Sequence, residues 1–372
     1  MSKSSSAWPK SDPSIDRLPE LVDSLDVRDR ALFERLYLVS RAEGRMVVPE
    51  PAQQWAASAF GSTEAVEVQT IVKVLNSVTM ESALFNPLRA SRPVTVTPGD
   101  LTQIIEDSRG DPFCHPEEST PEDVFGRLRG RHSITASNVA KYAPFHGLVI
   151  FDEHDPLVLS EDRVKDYLEV GHRWALEALR VDPRATYYFF AWNALWSSGA
   201  SIIHGHAQVS CTHDTHYARV EMLRRVALQY RERFGSDYFV DLLRIHEVLG
   251  LTLKYERVTV VAHLTPVREM EVLIVADSQG DALAGASYRA LDCLLTRMGV
   301  RSFNLVVYMP PLSPTPEDWS AFPHMVRIVD RGDPMKRTAD VGAMELFASP
   351  VISTDPFHLI KALRKRFEAA GH

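Results

Sequence analysis

Cysteine is scarce: Cys114, Cys211 and Cys293 are the only three in 372 residues. They are far apart and odd in number, which excludes a disulfide framework and points to a reducing compartment. Dense runs of Lys and Arg are also missing, and the formal net charge is -8. The chain therefore offers no general attraction for nucleic-acid phosphates, and no RNA or DNA partner is expected. The opening residues, MSKSSSAWPKSDPSID, lack the apolar core of a signal peptide, so a cytoplasmic location is expected. One long stretch, residues 185–213, holds no Asp, Glu, Lys or Arg. Its Asn, Ser, Gly and His residues would be costly in lipid, so it reads as a buried protein segment and no membrane association is expected.

What is present is an ordinary globular composition, 45% hydrophobic and 24% charged, in a chain longer than one core usually supports. Residues 1–20 are rich in Ser and Pro and read as a disordered tail. Residues 21–85 read as a helical N-terminal extension, with helices at 27–45 and 63–78; Leu32, Leu36 and Val39 stand at helical spacing in the first. Residues 86–235 form a first α+β unit in which HSITASN is a strand, AKYAPFH a turn and GLVIFDEH a strand. SEDRVKDYLEVGHRWALEALR follows as a helix and ATYYFFAWN as a strand. In the helix, Val164, Tyr167, Leu168, Trp174 and Leu179 share one broad face, and Ser160 stands at the N-cap ahead of Glu161 and Asp162.

The same order recurs about 124 residues later, within residues 236–355, as RVTVVAH, LTPVREM, EVLIVAD, a helix and SFNLVVYMP. At that offset Val149, Ile150 and Phe151 fall on Leu273, Ile274 and Val275, and turn prolines Pro144 and Pro266 are close to matching. The fold class is α+β with a duplicated strand-strand-helix-strand unit, followed by a C-terminal helix over 356–372.

The chemistry concentrates in WNALWSSGASIIHGHAQVS, residues 192–210. His204, His206 and Gln208 alternate, so on an extended strand two imidazoles and an amide face one side. Just upstream, Gly199 and Ser201 form a small-residue turn suited to bringing backbone N–H groups to an anion, and Asn193 adds a neutral donor.

The pattern Asn-x5-Gly-x-Ser-x2-His-x-His-x-Gln, made by Asn193, Gly199, Ser201, His204, His206 and Gln208, closely resembles the active-site signature of galactose-1-phosphate uridylyltransferases and related phosphorylases. AKYAPFHGLVIFDEHDP resembles the strand-turn-strand that leads into this signature across the histidine-triad (HIT-like) superfamily. The resemblance implies a HIT-like fold with antiparallel sheet and a nucleotidyltransferase that moves a nucleoside monophosphate from an NDP-sugar to a sugar 1-phosphate. His206 would carry the nucleotide covalently. Gln208 would donate to a non-bridging phosphoryl oxygen, Ser201 and the Gly199 turn would hold phosphates, and Asn138 would lie near the nucleoside. Glutamine after the second histidine resembles the transferase branch, whereas the hydrolases of the superfamily have a third histidine there.

The family also implies a structural zinc site. Here the matching residues are Asp111, Cys114, His154 and His204, with aspartate where the family has its first cysteine and His115 as a substitute ligand. FPHMVRIVDR lacks the histidines of the family's iron site, so no iron is expected, and the second unit reads as having kept the fold and lost the nucleophile. ADVGAMELFASPVIS resembles the sugar-contacting segment, with Val341 and Glu345 as candidates, but Ala343 and Met344 replace the family's aromatic and argue for a sugar other than galactose. Arg327, Arg331, Lys336 and Arg337 are candidates for an acceptor phosphate, and His213 and His216 read as surface residues. A phosphorylase using inorganic phosphate and a non-catalytic nucleotide sensor are the competing readings. Homodimers are common for this fold, but no interface is legible.

Overall fold

A computed structural model describes residues 12–369. Its N-terminal arm is a small sheet. Strand β1 (Tyr37–Arg45) pairs antiparallel with β2 (Val68–Asn76), and β2 with β3 (Ser82–Phe85). The helices expected over 27–45 and 63–78 stop early, at Val27–Leu36 and Thr63–Glu67. Beyond those points the β-branched residues of VQTIVKVLN, with Val72 and Val74 buried, favour a pleated half-buried surface, and Tyr37 and Val39 pair opposite Asn76 and Val74. Residues 12–20, expected to be disordered, are folded: a 3-10 turn, Ile15–Arg17, leads into a helix, Leu18–Asp23. Ile15 and Leu18 are buried and the Ile15 N–H donates to Asp355 at 2.8 Å, so apolar anchoring outweighs the Ser/Pro composition. Residues 1–11 of that expected tail lie outside the described residues.

The main body is one nine-stranded antiparallel sheet. The first unit supplies β4 (Ser133–Ser137), β5 (Phe145–Phe151), β6 (Tyr187–Ala194) and β7 (His206–Thr212). A lead-in strand β8 (Thr252–Tyr255) precedes β9 (Val258–Ala262), β10 (Val272–Ala276), β11 (Phe303–Tyr308) and β12 (His324–Asp330) of the second unit. The order β4-β5-β7-β6-β11-β12-β10-β9-β8 sets the units head to head, joined where β6 pairs with β11. Strand β13 (Val351–Ile352) returns to the N-terminal arm and pairs parallel with β3.

Register corrects the repeat by one residue. Val149, Ala207, Trp192, Leu305, Ile328 and Val272 form one row across the sheet, and Leu148, Gln208, Ala191, Val306, Arg327 and Leu273 the next. Residues in one row share a face, so Val149 matches Val272 in orientation and not Leu273. Helices Glu161–Val181 and Asp281–Arg297 cover the Val149 face, where Tyr167 lies 5.7 Å from Trp192. The first of them is capped by Ser160, which accepts from the Arg163 N–H, and buries Val164, Tyr167, Leu168 and Trp174. On the opposite face of the second unit, buried Arg327 bonds Glu271 at 2.6 Å and, from the N-terminal arm, Glu81 at 2.9 Å. The corresponding face of the first unit carries the candidate site. No described helix is long and apolar enough to cross a membrane.

His216 is not a surface residue: it is 3% exposed, packed among Tyr187, Tyr217 and Trp319, and its Nδ1 accepts the Tyr217 N–H. His213 is partly buried and paired with Asp182. Burial pushes His216 down to about 4, and burial with the neighbouring His263 pushes His246 down to about 3, from an ordinary 6.5. Both pKa values are lower in the folded chain, so the unfolded chain takes up these protons first as pH falls. Their stabilisation is complete above 6.5 and is lost as pH falls through the window below it. Urea unfolding should therefore show a loss of about 2 kcal/mol for each histidine between roughly pH 7 and pH 5. His246→Gln should remove its share of that slope.

Candidate active site

The site begins where β6 ends. Leu195, buried, takes a positive φ of 70° and turns the chain into a single 3-10 turn, Trp196–Ser198. Gly199 closes it at φ 101°, a conformation that disfavours any side chain. The Gly199 and Ala200 N–H groups bond to Trp196 and Leu195 carbonyls within the turn. They are thus not free for an anion as expected; the side chain of Ser201, next along, lines the cavity.

The alternation of His204, His206 and Gln208 does not survive intact, because β7 starts at His206. His204 lies in the preceding bend and its ring turns away from the cavity, while His206 and Gln208 line it. His204 still bears on His206: its carbonyl accepts from His206 Nδ1–H at 2.8 Å. That bond fixes the tautomer and leaves His206 Nε2 as the ring's lone pair. Burial lowers the His206 pKa, which keeps the imidazole neutral. Phe113 packs edge-on against it with ring centroids 5.0 Å apart.

Gln208 is held from behind. Its Oε1 accepts from the Tyr142 hydroxyl and from His146 Nε2, each at 3.1 Å, so its NH2 is the end left for a ligand. His146 is buried, burial lowers its pKa, and Tyr142 packs on it at 3.8 Å. Asn138 lies 3.2 Å from His146 and also lines the cavity. The cavity measures 310 Å³, and Pro112, Phe113, Leu148 and Ile202 supply apolar walls. No Asp, Glu, Lys or Arg lines it, so polar recognition there falls to neutral donors and one imidazole.

Asn193 sits behind the turn, its Oδ1 accepting from Asn304 at 2.6 Å. Val341 and Glu345 lie outside the cavity lining; Glu345 caps its own short helix by accepting the Gly342 N–H. Of the cationic candidates, Arg327 is paired with glutamates, Arg331 with Asp340, and Arg337 bonds Thr97; neither these nor Lys336 line the cavity. Tyr142 and His146 read only as parts of a turn in AKYAPFH, although Tyr142 stands three residues before β5 and His146 is its second residue. Nothing local in the sequence marks Asn304, and Arg331, expected near an acceptor phosphate, instead bonds Asn304.

Beneath His206, Asp111, Cys114, His154 and His204 converge with ligand atoms all within 4.8 Å of one another. His154 Nε2 donates to the Ile105 carbonyl and His204 Nε2 to that of Phe151. Both Nδ1 atoms are then lone pairs, yet they face each other at 3.1 Å, with Cys114 Sγ 3.5 Å from each. Lone pairs so placed repel unless a cation lies between them. Asp111 Oδ2 is buried without a partner, and Oδ1 lies 3.9 Å from His204. Ligands around tetrahedral zinc stand roughly 3.3–3.8 Å apart, so the donor set suits a metal. His115, exposed, stays outside it.

No family model and no curated protein matches the chain. Solved structures do. An ADP-glucose phosphorylase from Arabidopsis thaliana with bound ADP-glucose is 16% identical, with a TM-score of 0.58 over 78% of this chain and 97% of its own. A uridylyltransferase is 17% identical, with a TM-score of 0.55 over 79% and 98%. A GalT-like protein from Arabidopsis thaliana is 15% identical, with a TM-score of 0.55 over 77% and 96%. At these identities the likeness is one of fold, and the chain has the duplicated, HIT-like α+β fold of the uridylyltransferase and nucleotide-sugar phosphorylase structures.

Proposed function

We propose that the protein is a nucleotidyltransferase that works through a covalent nucleotidyl-His206. The observation that carries this reading is the pairing of a tautomer-locked, neutral His206 with the outward-turned amide of Gln208 on one wall of an uncharged cavity. His206 Nε2 attacks the α-phosphorus of an NDP-sugar, forming a P–N bond as the P–O bond to the sugar phosphate breaks and its electron pair leaves with that phosphate. A phosphate oxygen of the acceptor then attacks the same phosphorus, and the P–N pair returns to the imidazole. Gln208 NH2 and Ser201 donate to the phosphoryl oxygens where charge accumulates. The favoured acceptor is a sugar 1-phosphate.

Zinc is the metal that the Asp111, Cys114, His154 and His204 set suits, as a structural ion beneath the His204–His206 segment. When bound it would fix the His204 carbonyl that orients the nucleophile. A second reading, transfer to inorganic phosphate, discharges the same adduct and gains support from the fold shared with an ADP-glucose phosphorylase.

The test supplies UDP-, ADP- and GDP-glucose with either labelled glucose 1-phosphate or phosphate. Label passing from glucose 1-phosphate into the NDP-sugar, with no NDP formed from phosphate, supports the transferase. NDP formed only with phosphate supports the phosphorylase. Nucleotide binding without either exchange contradicts both and leaves a sensor.

A further inference from the structure

The second unit reaches the first unit's Gly199 turn through a chain of polar groups. Asn304 on β11 stands directly opposite Asn193 on β6. Its Nδ2 donates to Asn193 Oδ1 at 2.6 Å and to the Ser198 carbonyl at 3.0 Å. Its Oδ1 accepts from Arg331 Nη1 at 2.5 Å, and Nη1 also lies 3.3 Å from the Ser198 carbonyl. Asp340 holds the guanidinium with two contacts, 2.7 Å to Nε and 3.1 Å to Nη2.

We propose that Asp340, Arg331 and Asn304 form a positioning relay that sets which end of the Asn193 amide faces the Gly199 turn beside Ser201. A guanidinium can only donate. Arg331 therefore forces the Asn304 oxygen toward itself and the Asn304 NH2 toward Asn193. That NH2 in turn demands the Asn193 oxygen, and the Asn193 NH2 is left on the turn side, 3.9 Å from where a Cβ on Gly199 would stand. Asn193 Nδ2 makes no hydrogen bond to the described residues. An amide has nearly the same shape either way round, so without the arginine only the Ser198 carbonyl still sets this polarity, and an Asn193 oxygen turned to a phosphate repels it. The relay gives the second unit a part in the first unit's chemistry, and it rests on the nucleotidyl-transfer reading above.

The experiment follows the single-turnover rate of nucleotidyl-enzyme formation in the full chain, using the donor that labels the wild type. Asn193→Ala should slow it by about 10²–10³-fold, as loss of one phosphoryl donor does, and Arg331→Met by roughly 10–100-fold. Because Arg331 acts through Asn193, adding Arg331→Met to Asn193→Ala should cost less than about threefold more, a non-additivity that a merely structural arginine would not give. Asn304→Asp, of the same size but without the NH2, should match Arg331→Met and serves if that variant fails to fold. Losses that multiply in the double variant, or unchanged rates in both Arg331→Met and Asn304→Asp, overturn the relay alone. A wild type that forms no adduct overturns the proposed function and the relay with it.

Discussion

His206→Ala is expected to lower turnover by about 10⁴-fold or more while changing nucleotide affinity only a few-fold, read by steady-state kinetics and by titration calorimetry with the preferred nucleotide. Removing a nucleophile that forms the covalent intermediate typically costs on that scale, because the remaining donors bind and polarise the phosphate but have nothing to transfer it to. The binding determinants are other groups: Ser201, the outward amide of Gln208, Asn138 and the apolar walls all line the same cavity. A loss confined to affinity, with turnover at saturation unchanged, would place His206 among the binding residues and remove it from the chemistry. The Phe113 ring packed on His206 loses a neighbour in this variant, so melting should be followed in parallel.

The second large effect concerns the metal. The protein purified without chelator is expected to carry about one zinc per chain, and His154→Ala to lose it, measured by elemental analysis. His154→Ala removes one ligand, and without the ion the His204 Nδ1 lone pair and the Asp111 oxygen are left uncompensated in the interior. The expected destabilisation is about 3–5 kcal/mol, the scale of removing one partner from a buried charged pair. Activity should fall as well, since His204 contributes both a ligand atom and the carbonyl that holds His206 Nδ1–H. A wild type without metal whose melting is unmoved by His154→Ala would contradict the assignment.

The cavity wall was legible because Ser201, His206 and Gln208 occupy one strand-turn-strand with Asn193 and Gly199, and local spacing carries them. The same spacing misplaced His204, since alternation presumes that the strand already exists at His204, whereas the Gly199 turn delays it to His206. In the N-terminal arm, Leu32, Leu36 and Val39 satisfy a helical period although Val39 belongs to β1, and pairing with Val74 overrode the local signal. The repeat was visible from its order of elements, but a one-residue slip exchanges the faces of a strand, and only cross-strand register reveals that Leu273 lies with Leu148. Tyr142, His146 and Asn304 escaped notice, and Arg331 was assigned to an acceptor phosphate, for another reason. Each acts through a side-chain contact that bridges 27 or more positions of chain or joins the two units, and no spacing rule reports such contacts.

The account stands on the P–N bond. The wild-type protein, incubated with each NDP-sugar in the absence of acceptor, would be analysed by intact mass and then by peptide mapping under mildly alkaline conditions that preserve phosphoramidates. One nucleoside monophosphate per chain on the peptide containing His206, absent in His206→Ala and released by the acceptor, is the expected result. A protein that binds the nucleotide yet gains no mass, or gains it on another residue, would contradict the central claim.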